Sequence, residues 1–220
     1  MRKSPMPSNA LLLDLDGTLV DSLGDIAASV NAVLAERSLP THSVDAFRRM
    51  VGDGIGALVQ RAAGVGPGSD LDELLAAVRA RYDEHMLDQT APFPGVVDTL
   101  HELRRRGIPL AIVSNKPHDK TRRMVDHLFP DVPFGIVLGD RDGVERKPDP
   151  ASSFEAARAL GVAPDDCAFV GDSDVDMLTA RAAGMRAVGV SWGFRGADEL
   201  RRAGADQIID RATELLELVG

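Results

Sequence analysis

The chain has a single cysteine among its 220 residues. That excludes an intrachain disulfide framework and fits a reducing compartment. Cys167 opens the apolar run "CAFVG", so a buried, inert thiol is expected rather than a nucleophile. No stretch of about 18 apolar residues occurs, and "MRKSPMPSNA" at the start is followed by no apolar segment of signal-peptide length. A cytoplasmic protein is the expectation. Positive charge is in deficit: 25 Lys and Arg face 34 Asp and Glu, a net charge of −9. Such a balance argues against nucleic acid or an anionic membrane as partner. The basic triplet Arg104–Arg106 precedes Gly107, where cations complement the end of a helix dipole. The five histidines are dispersed, and no Cys/His cluster suits zinc. Internal repeats and low-complexity tracts are also missing.

What is present is a series of short apolar runs: residues 10–15, 109–114, 134–139, 167–171, 186–190 and 207–210. Each has the length of a strand, and most lack polar alternation, as strands buried on both faces do. Helical patterns over 95–106, 117–128, 151–160, 174–183 and 196–203 alternate with them. Strand–helix alternation of this kind predicts a parallel sheet covered on both sides. The first interval departs from the rhythm. From Ser22 to about Gln89 only amphipathic helical patterns occur, such as "DIAASVNAVLAER" and "DELLAAVRARYDEHML". That is far more than a crossover needs. The expected division is a core of residues 1–20 and 91–220 with a helical cap over 21–90. "APFPG" at 91–95 would be the returning linker.

Leu11–Leu13 run directly into Asp14 and Asp16, two positions apart and so on one face of the strand. Two carboxylates about 5 Å apart repel by about 3 kcal/mol at an effective dielectric of about 20, so a compensating group is required. Other polar residues follow other strands: Ser114 and Asn115 after the second, Asp172, Asp174 and Asp176 after the fourth, and Lys147 in "ERKPDP". Open parallel sheets bind ligands at the carboxyl ends of their strands, so these residues are expected to converge. Asp14, Asp16 and Asp172 form a hard oxygen set suited to Mg²⁺. Lys147, the Ser114 hydroxyl and backbone amides at Gly17 and Thr18 would add charge and donors for a phosphoryl group. Asp176 is expected to face the metal and hold a coordinated water, and Asp174 to cap its helix. Gly52, Gly54 and Gly56 either close over the phosphate site or form a plain helix-linking turn.

Taken together, "DLDGTLVDS", Ser114, Lys147 in "KPDP" and "GDSDVD" at 171–176 resemble the four motifs of the haloacid dehalogenase superfamily of phosphohydrolases. The resemblance spans essentially the whole chain. It implies an α/β, Rossmann-like parallel sheet with helices on both faces and an inserted α-helical cap. It also implies that Asp14 is the nucleophile and a Mg²⁺ ligand, and Asp16 the general acid/base with its backbone carbonyl on the metal. Ser114 and Asn115 would bind phosphate, Lys147 would neutralise charge, and Asp172 would complete the metal site. "VGDGIGALVQRA", "VSNKP" and "VSWGFRGADELRRAGAD" look like the phosphoglycolate phosphatase branch. They are also similar to phosphatases of N-acetylmuramic acid 6-phosphate. The expected protein is a Mg²⁺-dependent phosphatase of a small phosphorylated metabolite, monomer or homodimer. A phosphoglucomutase-like phosphotransferase and a receiver-type signalling module are the alternatives.

Overall fold

The computed structural model describes residues 7–66 and 68–220; the first six residues of the expected core segment, part of the N-terminal stretch read above, lie outside them. The leucine run forms β1 (Ala10–Leu13), a strand with no exposed position. Alternation sends Leu11 and Leu13 into one hydrophobic cluster and Ala10 and Leu12 into another. The same split recurs in β4 (Leu110–Pro117) and β6 (Cys167–Gly171). The sheet is therefore buried on both faces, which is why its strands lack polar alternation. With β5 (Ile136–Asp140), β7 (Arg186–Val190) and β8 (Gln207–Ile209) it has six parallel strands in the order β5-β4-β1-β6-β7-β8. The chain winds outward from β1 to β5, then crosses back to β6 beside β1. That reversal opens a crevice at the carboxyl ends of β1, β4 and β6.

One sheet face is covered by α5 (Val96–Arg105) and α6 (His118–Leu128), the other by α7 (Ala151–Leu160), α8 (Asp174–Ala182) and α9 (Ala197–Arg202). Cys167 is buried in the second cluster, and burial raises its thiol to about 11. That is the inert state expected of it.

Two strands escaped the sequence reading. β2 (Val20–Asp21) and β3 (Ala91–Pro92) pair antiparallel, with Asp21 opposite Ala91. "APFPG" thus begins as a strand rather than a pure linker. Two residues are too few to show any periodicity. Between them lie α1 (Leu23–Glu36), α2 (Val44–Phe47), α3 (Ile55–Ala63) and α4 (Ser69–His85). In α4, Leu74, Val78 and Tyr82 recur every fourth position and are buried, and α1 packs along it. The return to the core is fastened by the buried Asp25 carboxylate. It accepts the amides of Gln89 and Thr90 and the Thr90 hydroxyl at 2.7–3.0 Å. Among the described residues no helix is long and apolar enough to cross a membrane.

Candidate active site

The carboxyl ends of β1, β4 and β6 bring the sequence-predicted residues to one place. Asp14, Asp172 and Asp176 are all buried, and one carboxylate oxygen of each lies within 4.8 Å of the others. The Lys147 ammonium donates at 2.7 Å to both Asp14 Oδ1 and Asp176 Oδ1. Its side chain is only 4% exposed, so these are ion pairs shielded from water. Burial opposes the ammonium, but Asp14 and Asp176 outweigh that effect and raise its pKa. Burial pushes the Asp14 carboxyl up to about 7, Lys147 opposing and Asp176 assisting. Burial, then the charges of Asp176 and Asp14, hold Asp172 well above the usual carboxylate range. One lysine does not balance three buried acids. The cluster is electrostatically short of a cation.

Local sequence explains why Asp172 can sit there. Gly17 has φ +88, and a Cβ on it would overlap the Asp172 carboxylate. A Cβ on Gly193 would run into Asp172 and the Gly17 carbonyl. The Phe194 amide then donates to Asp172 Oδ2 at 2.6 Å. The sequence reading missed Gly193 and Phe194, because a backbone donor leaves no residue-type signature.

Several expectations need correction. The amides of Gly17 and Thr18 are committed inside their own turn, to Val20 O and Leu15 O. Among the described residues, those of Leu15 and Asp16 have no chain partner, nor does the Asp16 carbonyl. The free donors are thus two residues earlier than expected. Asp16 does not turn its carboxylate to the acid cluster. It accepts from Ser22 Oγ at 2.5 Å and from Lys116 Nζ at 3.0 Å. Asn115 donates its side-chain amide to Gly52 O at 3.1 Å and Lys147 O at 3.0 Å, and accepts from Lys147 N. It ties the lysine loop to the helical segment and has no side-chain N–H left for an anion. Asp176 gives Oδ1 to Lys147 and Oδ2 to the amide and hydroxyl of Ser173. It therefore anchors the lysine while one of its carboxylate oxygens stays within the acid cluster, where it was expected to face the metal. Ser173, not Asp174, caps α8.

Ser114 accepts the Lys116 amide at 3.2 Å and keeps its own hydroxyl proton to donate. Gly52 (φ +125) and Gly54 (φ +88) form the loop before α3, whereas Gly56 lies within α3, where an added Cβ meets nothing. Arg195 fixes that loop from the core side, donating to the carbonyls of Arg48 and Val51, while Arg48 donates to Gly193 O. A cavity of about 500 Å³ lies between, lined by Asp14, Asp16, Ser114 and Lys147 below and by Ile26, Leu58 and Tyr82 above.

The parallel α/β sheet thus carries a lysine-bridged acid cluster at its switch point. The sequence model of the haloacid dehalogenase-like hydrolases matches residues 11–190, and the chain belongs to that family. It is 35% identical over 215 residues to a phosphoglycolate phosphatase of Chromobacterium violaceum, covering 96% of each chain. It is 36% identical to one of Rhodospirillum rubrum, covering 96% of this chain and 90% of that one. A crystal structure from Lactobacillus delbrueckii, provisionally assigned as a phosphoglycolate phosphatase, superposes with a TM-score of 0.91 at 32% identity. It covers 98% of this chain and 100% of its own. Family membership removes the receiver-type alternative.

Proposed function

We propose that the chain is a Mg²⁺-dependent phosphatase of a small phosphorylated metabolite, working through a phosphoaspartyl enzyme, with 2-phosphoglycolate the first candidate substrate. The observation that carries this reading is the buried Lys147 ammonium shared by Asp14 and Asp176 beside Asp172. The relatives named above support the substrate. A cavity of about 500 Å³ suits a small metabolite.

The donor set fits Mg²⁺. Asp14 and Asp172 offer hard carboxylate oxygens, the Asp16 carbonyl is uncommitted, and burial alone would push the acids toward protonation. When bound, the ion supplies positive charge against the phosphoryl oxygens. The rest belongs to the chain. Lys147 holds Oδ1 of Asp14, and the carboxylate attacks phosphorus. The Ser114 hydroxyl and the amides of Leu15 and Asp16 orient the phosphoryl oxygens. As the Asp14–phosphorus bond forms and the ester bond breaks, Asp16 gives its proton to the leaving oxygen. Asp16 then takes a proton from the water that attacks phosphorus, freeing phosphate and restoring Asp14. Helices α1–α4 act as the cap that encloses the substrate. A cytoplasmic setting suits the single buried thiol.

The test is phosphate release from a panel of monoesters with Mg²⁺ and with EDTA. Release that needs Mg²⁺ and disappears in Asp14→Asn supports the reading. Undiminished release without metal, or by Asp14→Asn, overturns it.

A further inference from the structure

The hydrolytic reading leaves one buried cation of the cavity unexplained. Lys116, near the end of β4, is 8% exposed and lines the same cavity as Asp14 and Asp16. Its ammonium donates to both Asp16 oxygens at 3.0 Å and to Tyr82 Oη at 2.7 Å, and lies 4.8 Å from the centre of the Tyr82 ring. Tyr82 comes from α4, so the pair is assembled from both sides of the cavity. The other buried lysine wall is occupied by the acid cluster. Lys120 is paired with Asp83 and Asp119, Arg141 with Glu155, and Arg195 holds backbone carbonyls. Lys116 differs, because among the described residues its carboxylate partner is the residue that must handle the proton.

That pairing cannot persist through turnover. When the Asp16 carboxyl reaches toward the ester oxygen, it leaves the largely buried Lys116 ammonium without that partner. A buried charge needs another anion nearby. Lys116 and Asp16 share one cavity wall, which limits where that anion can lie. Asp16 reaches the leaving oxygen, and Lys116 lies one hydrogen bond beyond Asp16. In a small phosphate ester, a carboxylate on the carbon that bears the ester oxygen is the nearest anion to that oxygen outside the phosphoryl group itself. A neutral hydroxyl would fill the space without replacing the charge.

The geometry points to Lys116, with the Tyr82 hydroxyl, as the subsite that recognises a carboxylate attached to the carbon bearing the ester oxygen, so that the pocket selects 2-phospho acids over neutral phosphate esters. This rests on Asp16 being the proton-handling acid of the proposed phosphatase. The phenol complements the ammonium: it accepts from Lys116 and keeps an O–H to donate to the incoming carboxylate. Because Tyr82 belongs to α4, the subsite is complete only with the helices seated on the core. Recognition of the acid and enclosure of the ester would then be one event.

The experiment compares 2-phosphoglycolate with 2-hydroxyethyl phosphate, which carries CH₂OH in place of the carboxylate, by phosphate release with saturating Mg²⁺. The wild type is expected to favour the acid. Lys116→Met should lower kcat/KM for both, and for phosphoglycolate about tenfold further, mostly through KM. Tyr82→Phe should move the same ratio by about threefold in the same direction, and it preserves the ring that packs in the core. Equal losses on the two esters would mean that Lys116 only positions Asp16, and would overturn the subsite. So would a loss of discrimination in Arg79→Gln, at the exposed cation of the cavity wall, with none in Lys116→Met. Should Lys116→Met not fold, judged by circular dichroism, Tyr82→Phe decides by the same ratio. Mg²⁺-dependent release with no wild-type preference for the acid defeats the subsite alone. No release from any ester defeats the phosphatase reading and the subsite with it.

Discussion

Lys147 Nζ lies 2.7 Å from Asp14 Oδ1, although 133 positions separate the two residues in sequence. The lysine thus arrives at Asp14 by tertiary folding, and Asn115 fixes its loop by bonding the Lys147 amide and carbonyl. Lys147→Ala should lower kcat about 10²-fold or more, as expected for one preorganised charge in a buried site. Lys147→Arg should recover only part of this, because a planar fork cannot place one point charge between two carboxylates. Steady-state kinetics on one aryl phosphate checks both, and an alanine variant within about twofold of wild type would reduce the lysine to a loop residue.

The metal should be linked to pH. Burial holds Asp14 near 7 and Asp172 above the usual range in the metal-free fold, whereas the unfolded chain titrates them near about 4. Between those values the native state binds more protons than the unfolded one, so metal-free stability falls as pH rises from about 4 through about 7. Mg²⁺ needs both groups ionised and expels their protons. Its stabilisation should therefore be larger at about pH 8 than at about pH 5.5. Thermal melts at matched Mg²⁺, with calorimetry in buffers of different ionisation enthalpy, read both effects. A metal shift independent of pH would place the ion elsewhere.

The two aspartates of β1 should fail differently. Asp14→Asn replaces the proposed nucleophile's carboxylate with an amide and should abolish turnover of every ester. Asp16→Asn should slow alkyl phosphates much more than aryl phosphates, whose leaving groups need little protonation. Equal slowing of both classes would take proton delivery away from Asp16.

Two glycines offer an opposed pair. Gly17→Ala forces a left-handed residue, at a cost of about 1–2 kcal/mol, and drives its methyl group into Asp172. It should lower the urea midpoint and weaken the response to Mg²⁺. Gly56→Ala, with open space around it inside α3, should raise the midpoint, stabilising the fold by up to about 0.5–1 kcal/mol. If Gly17→Ala binds Mg²⁺ normally, Asp172 does not depend on that close approach.

Arg195 should govern the seating of the loop before α3. Its guanidinium donates to carbonyls at Arg48 and Val51, and hydrogen bonds to charged groups contribute about 1.5–3 kcal/mol each. Arg195→Ala should speed amide exchange over residues 48–55 by roughly tenfold or more and raise KM more than it lowers kcat. Unchanged exchange there would show that Asn115 and Arg48 suffice.

The sheet was legible because its signals are local. A leucine run that ends in two carboxylates announces both a buried strand and a need for compensation. What stayed hidden depends on distant partners. Lys116 meets Asp16 across 100 positions, and the sequence reading stopped that strand at Ser114. β4 continues to Pro117 with a shifted register, so Asn115 and Lys116, read as following the strand, and Pro117, read as opening a helix, are strand. The anion donors were misplaced for a related reason. Glycine and threonine directly after Asp16 suggest free amides, but the turn consumes them and leaves those of Leu15 and Asp16. Which amide remains free is a property of backbone pairing, not residue type.

The short β2–β3 ribbon has a consequence for how the chain is written. Asp21 and Ala91 are register partners, so the polypeptide leaves the core and re-enters it about 5 Å away. A tight hairpin turn could join those two residues without altering the order or direction of any strand in the six-stranded sheet. In the grammar of the fold, the four helices are a parenthesis. Everything between Asp21 and Ala91 can be lengthened, shortened or rewritten at little loop-closure cost, while Asp14 and Asp16 keep their places one step before the bracket opens.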